Sequence, residues 1–299
     1  MCAILVTGAS GFIGSFLMEE MKRQHLPVVG VSRSPKPGLL TIPVHGKALN
    51  WDPLLKNVDT VVHLAARVHV MKDRELNPLQ EFRRANLEAT LHLAHAAARN
   101  GVRRMVFVST IKVNGEHTQP GRPFKAEDDP MPNGPYAQSK AEAEVGLLQI
   151  GRETGLEVVI LRPPLVYGRG SKGNWATLAH WAKFGFPSPF GAVRNRRSLV
   201  HVSNLCSAII AACTHPNAAN QVFLIADSTS VSTHEIFMAL GWRKTSPLLD
   251  AVFYWTLLPL LRAQKSTRER LLSNLEVDIE KATALLEWRS SPFMGGKET

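Results

Sequence analysis

The sequence predicts an α/β chain: a parallel sheet wound on both faces by helices, with a smaller, mostly helical lobe toward the C-terminus. Three observations predict it. Over residues 1–160 short apolar runs alternate with stretches of helical periodicity, the pattern of a repeated strand–helix unit. The first apolar run leads directly into Gly8-Ala-Ser-Gly11-Phe-Ile-Gly14 and then into a helix. After Arg162 the texture changes, and Pro163, Pro164, Gly168, Gly170, Gly173, Pro187, Pro189 and Gly191 mark a loop-rich stretch.

Taken in order, Ala3–Thr7 reads as a buried strand and Phe12–Gln24 as a helix with one apolar face. Val28–Val31 and Thr60–Leu64 are the next strands, each a short β-branched run. A helix over Pro78–Asn100 follows, then a strand over Met105–Ser109, a helix over Tyr136–Thr154 and a strand over Glu157–Leu161. Gln221–Ala226 has the look of one more strand, and Ser232–Trp288 of mostly short helices. A core over residues 1–165, rejoined by about 198–228, and a discontinuous lobe over 166–299 are the expected division.

Bulk composition narrows the function. The 299 residues suffice for such a core plus lobe, and 44% hydrophobic with 20% charged residues is ordinary globular usage. No apolar run reaches the roughly 20 residues that span a bilayer; Ala251–Leu261 is short and broken by Pro259. No secretory leader is expected, because the apolar residues before Gly8 are too few. Three scattered cysteines, Cys2, Cys206 and Cys213, suit small buried hydrophobes in a reducing cytoplasm rather than a disulfide framework. The 11 histidines show no ligand spacing, so no metal is expected. A net charge of +10 is spread along the chain without a nucleic-acid-binding motif, and fits a small anionic ligand better than a nucleic acid.

The glycine run names that ligand. Gly8 permits a tight turn, Gly11 lets the backbone approach a pyrophosphate, and Gly14 lets the helix pack closely. Ser10, Phe12 and Ile13 complete a turn whose helix N-terminus offers unbonded N–H groups and a positive dipole end to phosphates. A Rossmann-like dinucleotide site is the consequence. At the end of the second strand a site for NAD usually carries an acid for the ribose 2′-hydroxyl. This chain has Ser32-Arg33-Ser34 there, a better match to a 2′-phosphate, so NADP(H) is preferred and NAD(H) remains an alternative.

Tyr136-Ala-Gln-Ser-Lys140 supplies the chemistry. Residues i and i+4 share a helix face, so Lys140 lies beside Tyr136 and is expected to lower its phenol pKa. A tyrosine so tuned passes a proton to or from a hydroxyl while hydride moves. Thr110, at the end of the preceding buried strand, can hold the same substrate oxygen.

Together, Thr7–Gly14, His63-Leu-Ala-Ala66, Asn86, Val108–Gly115, Tyr136–Lys140, Leu161-Arg-Pro163, Arg197–Leu205 and Leu285-Leu-Glu-Trp288 resemble the extended short-chain dehydrogenases/reductases, over nearly the whole chain. That family includes nucleotide-sugar 4-epimerases, 4,6-dehydratases and 4-ketoreductases. The resemblance implies a catalytic triad of Thr110, Tyr136 and Lys140, with Lys140 also holding the nicotinamide ribose. It implies that His63, Leu64, Ala65 and Ala66 line the dinucleotide, that Asn86 braces the catalytic helix, and that Pro163 approaches the nicotinamide. Asn174 would touch a UDP-sugar diphosphate and Arg197 would pair with it; the basic run Arg194, Arg196, Arg197 agrees on chemical grounds. Trp175 reads either as a stacking platform for a base or as a packed core residue, and His201 as structural. Relatives of this kind often dimerise through the helices corresponding to Pro78–Asn100 and Tyr136–Thr154, so a homodimer is one expectation.

Within the family, dehydratases carry Asp-Glu after the triad threonine. Ile111 and Lys112 stand there and cannot perform that elimination. Two reactions in surface-polysaccharide precursor synthesis remain: reduction of a UDP-4-keto-6-deoxy-N-acetylhexosamine, which Arg33 favours because net reduction draws on NADPH, and 4-epimerisation of UDP-glucose or a UDP-N-acetylhexosamine. A third, non-catalytic reading is an NADP(H)-binding regulatory protein, against which stands the retention of Tyr136 and Lys140.

Overall fold

The computed structural model describes residues 3–45, 48–68, 77–171, 175, 180, 184, 188, 190–243 and 271–294. Asn174 and all of 244–270, including the Ala251–Leu261 run, lie outside these described residues.

The alternating apolar runs become the strands of one parallel sheet. In chain order these are β1 (Ala3–Thr7), β2 (Val28–Ser32) and β3 (Leu40–Thr41), then, after a small hairpin of β4 (Val44–His45) and β5 (Ala48–Leu49), β6 (Val58–His63), β7 (Arg104–Val108) and β8 (Glu157–Arg162). A pair β9 (Leu165–Tyr167) and β10 (Leu199–His201) forms a separate parallel two-stranded sheet, and β11 (Val222–Leu224) closes the main one. The seven strands lie in the order β11-β8-β7-β6-β1-β2-β3, all parallel. The order reverses between β1 and β6, where open α/β sheets leave a crevice beyond the strand C-termini.

Strand side chains alternate between two cores, one on each face. Ile4, Val6, Val62, Val106, Val159 and Leu161 pack with helices α1 (Phe12–Arg23) and α6 (Val202–Thr214). Leu5, Val61, Met105, Phe107, Val158 and Ile160 pack on the other face with α2 (Asp52–Leu55), α4 (Ala89–Arg99) and α5 (Pro135–Thr154). Strands buried on both sides read as continuous apolar runs for this reason. The helical period is equally direct: α1 buries Gly14, Leu17, Met18 and Met21. Helix α5 begins on Pro135 after Gly134 and ends at Gly155 in a left-handed conformation, φ 80°, whose N–H caps Gly151 O.

Two differences from the sequence expectation are local. The helix expected over Pro78–Asn100 is interrupted: α3 (Pro78–Phe82) runs into a π turn over Arg83–Glu88 before α4. Such a turn carries one extra residue and rotates the side chains that follow; here it buries Asn86. The strand expected over Gln221–Ala226 pairs only over Val222–Leu224. In the C-terminal part, α7 (Thr233–Ala239) opens with a reciprocal capping box between Ser232 and Glu235, and α8 (Glu280–Leu285) precedes Trp288. No helix among the described residues is long and apolar enough to cross a membrane.

Candidate active site

The predicted residues converge because each follows the C-terminal end of a neighbouring parallel strand. Gly8 follows β1, Ser32 ends β2, His63 ends β6, Thr110 lies just beyond β7 and Pro163 follows β8. Register aligns those ends: Thr7 pairs with His63, His63 with Phe107, and Val108 with Leu161.

The turn after β1 is held by close backbone approach. Gly8 sits at φ +69°, and a Cβ there would lie 2.8 Å from Ala65 N. A Cβ on Gly14 would lie 2.2 Å from Gly8 O and 2.7 Å from Ala9 Cα, so the first turn of α1 touches the glycine turn directly. Gly11 N donates to Gly8 O at 2.9 Å, and Gly11 is the N-cap of α1 without a side-chain cap. The first-turn N–H groups of α1, including those of Phe12, Ile13 and Gly14, are thus left to an external acceptor, beside the exposed Ser10. A Cβ-free cradle with unbonded donors fits a pyrophosphate. At the end of β2, Ser32 is buried with its hydroxyl on Ser34 O, while Arg33 and Ser34 are exposed at the rim.

His63 fastens this cradle to the neighbouring helix. Its Nδ1 lies 2.7 Å from Thr7 Oγ1 and its Nε2 3.0 Å from Thr90 Oγ1. Thr90 donates to Asn86 O at 2.7 Å, so it accepts from Nε2–H; Thr7 then donates to Nδ1 and accepts from Ala65 N at 3.4 Å. One neutral tautomer satisfies the whole chain. Burial, with the charge of Lys140 as a smaller cause, pushes His63 down to about 3. Leu64 is half-buried, and Ala65 and Ala66 are exposed beside the glycine turn.

Across the crevice, the Tyr136 hydroxyl shares a hydrogen bond with Thr110, and the Phe82 ring packs edge-on to the tyrosine at 6.1 Å. Thr110 also caps the short 3-10 turn Ile111–Val113, accepting from Lys112 N, and Ile111 N donates to the buried Pro163's O at 2.9 Å. Lys140 is fully buried, donates from Nζ to Val108 O at 2.8 Å, and lies 3.9 Å from the centroid of the Phe107 ring. The electrostatics differ from the sequence expectation. Burial pushes the Tyr136 phenol up to about 12, opposed by its hydrogen bond to Thr110. Burial acts on Lys140 as well, pushing its ammonium down to about 7 against the attraction of Glu144.

The cluster of Arg162, Glu144 and Asn114 is not assigned a role by the motif reading, whereas Asn86 is expected to brace the catalytic helix. Arg162 grips Glu144 with Nε and Nη2 (3.1 and 2.6 Å) and donates from Nη1 to Asn114 Oδ1 at 2.9 Å. All three side chains are buried. Glu144 stands four residues beyond Lys140, a spacing that could have drawn attention to it. Asn86 donates to Ser139 Oγ (3.1 Å) on α5 and makes two bonds to the Arg67 backbone, tying the catalytic helix to the segment after β6.

The basic run divides in three. Arg194 is exposed and bonds Gly191 O; Arg196 is exposed and pairs with Glu276 at 3.6 Å. Arg197 turns inward, donates to Ser273 O at 2.9 Å and has no carboxylate partner among the described residues; burial pushes its guanidinium down to about 10. A polar cavity of about 390 Å³ opens alongside, lined by residues including Arg194, Arg196, Asn274 and Glu276. Trp175 is buried and packed 4.8 Å from the Tyr167 ring, and His201 is buried with Nδ1 on Ser203 Oγ.

Comparison with known proteins agrees with this geometry. The family model described as NAD dependent epimerase/dehydratase matches residues 4–226. A UDP-glucose 4-epimerase of Vibrio cholerae is 39% identical over 296 residues, covering 96% of this chain and 90% of that protein. A dTDP-glucose 4,6-dehydratase of Streptomyces antibioticus is 30% identical over 275 residues, covering 83% and 80%. Among solved structures, MoeE5 in complex with UDP-glucuronic acid and NAD superposes with a TM-score of 0.75 at 26% identity, covering 99% of this chain and 95% of that one.

Proposed function

The chain belongs to the NAD dependent epimerase/dehydratase family, enzymes of the extended short-chain dehydrogenase/reductase type, and on that premise we propose that it catalyses nicotinamide-dependent 4-epimerisation of a UDP-hexose. The observation that carries the reaction class is the Thr110–Tyr136 hydroxyl pair with Lys140 one turn along, facing the glycine cradle across the crevice. The choice of epimerisation rests on the likeness to the Vibrio cholerae enzyme, which extends over both the core and the C-terminal part.

In this reading the first turn of α1 and Gly11 bind the pyrophosphate, and Leu64, Ala65 and Pro163 flank the rest of the dinucleotide. A nicotinamide held there would supply the hydride acceptor and donor for the sugar C4. Thr110 holds the C4 oxygen. Tyr136 takes that oxygen's proton as the hydride leaves and, once the 4-keto sugar has turned its other face to the cofactor, gives the proton back to the oxygen. Because burial makes the phenol a weak acid, Lys140 must stay charged to stabilise the tyrosinate; its remaining N–H groups hold the ribose. Arg197 and Asn174 are assigned to the diphosphate, and the lobe beginning near residue 166 to the sugar and base. Ile111 and Lys112 offer no acid pair for elimination, so we propose no dehydratase activity.

A second reading, 4-ketoreduction with NADPH, is favoured by one observation: the exposed Arg33 and Ser34 at the end of β2, without an acid. The two are separated by incubating the purified protein with UDP-glucose and with UDP-N-acetylglucosamine and following the C4 epimers by NMR. A UDP-4-keto-6-deoxy-N-acetylhexosamine is then supplied with NADPH or NADH and absorbance is followed. Interconversion without net cofactor loss supports the epimerase. Stoichiometric loss of NADPH replaces it with the reductase and makes Arg33 the 2′-phosphate contact.

A further inference from the structure

Lys140 is an ammonium in an apolar place. It is fully buried, one N–H is committed to Val108 O, and the Phe107 ring lies beside it. The charged and titratable groups around it come from three elements. His63, from β6, is neutral. Tyr136 precedes it by one turn on α5, and Glu144 follows by one turn on the same face. Arg162, from β8, reaches that face only through Glu144.

Glu144 is therefore the anion one turn from Lys140 on its helix face, and it is held on both oxygens. Arg162 holds both carboxylate oxygens, at 3.1 Å to Oε1 and 2.6 Å to Oε2. Asn114 accepts from the third arm of the guanidinium and donates its own amide to Lys125 O at 3.0 Å. A buried ion pair of this kind contributes little net stability over a packed apolar pair, so its presence beneath a catalytic lysine calls for another role. We propose that Glu144 is a positioning residue for Lys140: fixed from the far side by Arg162 and Asn114, its carboxylate keeps the Lys140 side chain an ammonium while touching neither sugar nor dinucleotide. The inference deepens the reading above, because it assumes that Lys140 must be charged for turnover.

The test compares the wild type with Glu144→Gln, with the paired variant Glu144→Gln/Arg162→Gln, and with Arg162→Lys. The first readout needs no substrate: ¹⁵N-labelled lysine Nζ is titrated by NMR, with the Lys140 signal assigned by its loss in Lys140→Met. In Glu144→Gln the Lys140 midpoint should fall by ~1 unit or more, as expected on removing an opposite charge one helical turn away. Arg162→Lys keeps the charge and loses the two-pronged grip, and should give a smaller displacement. The paired variant, which removes both buried charges and is the one best placed to fold, should also titrate lower than wild type. The second readout is the pH profile of kcat/KM, whose alkaline limb should move down by the same amount with KM changed less than twofold at pH 6. An unmoved Lys140 midpoint in a folded Glu144→Gln or paired variant overturns the proposal. A displaced midpoint with no turnover of any UDP-hexose in the wild type upholds the electrostatic role and overturns the assigned reaction instead.

Discussion

Gly14→Ala tests the physical core of the dinucleotide site. In an ordinary helix interior this exchange stabilises by about 0.5–1 kcal/mol, because alanine is the better helix former. Here the new Cβ would lie 2.2 Å from Gly8 O, 2.7 Å from Ala9 Cα and 2.9 Å from Ala9 C. All three are backbone atoms, so no side chain can rotate away, and relief requires α1 to back off the turn. Overpacking of this sort costs about 1–3 kcal/mol, and the upper end applies, leaving a net loss of about 2 kcal/mol. Gly146→Ala is the matched control: its Cβ would come within 2.7 Å of an atom too, but that atom is the terminal methyl of Leu91. Its net effect should stay within about 0.5 kcal/mol. Urea unfolding at equal slope reads the stability difference, and calorimetric titration with NAD and NADP reads binding, which should weaken roughly tenfold or more in Gly14→Ala alone, about 1.4 kcal/mol. If Gly14→Ala unfolds with Gly146→Ala and binds dinucleotide like the wild type, the close approach of helix and turn is not what the glycine provides.

Three further outcomes are expected. Tyr136→Phe should lose ~10²–10⁴-fold in turnover while binding dinucleotide unchanged, measured by single-turnover reduction of bound cofactor; a loss under tenfold removes Tyr136 from the proton path. His63 is held at about 3 in the fold against 6.5 for an exposed histidine, so the unfolded chain takes up its proton first. Its contribution is complete above pH 6.5 and lost as pH falls from there toward 3; acid unfolding of His63→Gln should be flatter over that window, and an unchanged slope counts against a neutral His63. Arg104 is fully buried and bonds Glu157 at 2.7 Å as well as the carbonyls of Ala212 and His215 at the end of α6. Removing the carboxylate with Glu157→Ala should cost about 1.5–3 kcal/mol in chemical denaturation, the worth of hydrogen bonds to a charged group, and a cost under about 1 kcal/mol would show that the carbonyls suffice.

The sheet and the cradle were legible in the sequence because both are written locally. A strand buried on two faces is a run such as Ala3–Thr7, and a helix packed on one is a stripe such as Leu17, Met18 and Met21. The glycine turn is legible for a related reason: φ +69° at Gly8 and a missing Cβ at Gly14 are demands on single residues. Tyr136 and Lys140 share a face by helical spacing alone, and with Thr110 at a strand end they were legible in the sequence. Their electrostatics were not, since burial outweighs the hydrogen bond to Thr110 and pushes the phenol up rather than down.

What the tertiary structure alone decided concerns partners far apart in the chain. Arg196 and Arg197 acquire different environments only when residues 271–276 are laid beside them: one pairs with Glu276, the other bonds Ser273 O. The π turn that buries Asn86 depends on the Arg67 backbone and Ser139 being there to receive it. Arg162, Glu144 and Asn114 sit on a strand, a helix and the loop after another strand, and nothing in their spacing announces a shared ion pair. Propensity and turn chemistry act over three or four residues and so are printed in the sequence; the charge state of a buried group is set by which distant atoms the sheet register brings against it, and that is fixed only when the chain has folded.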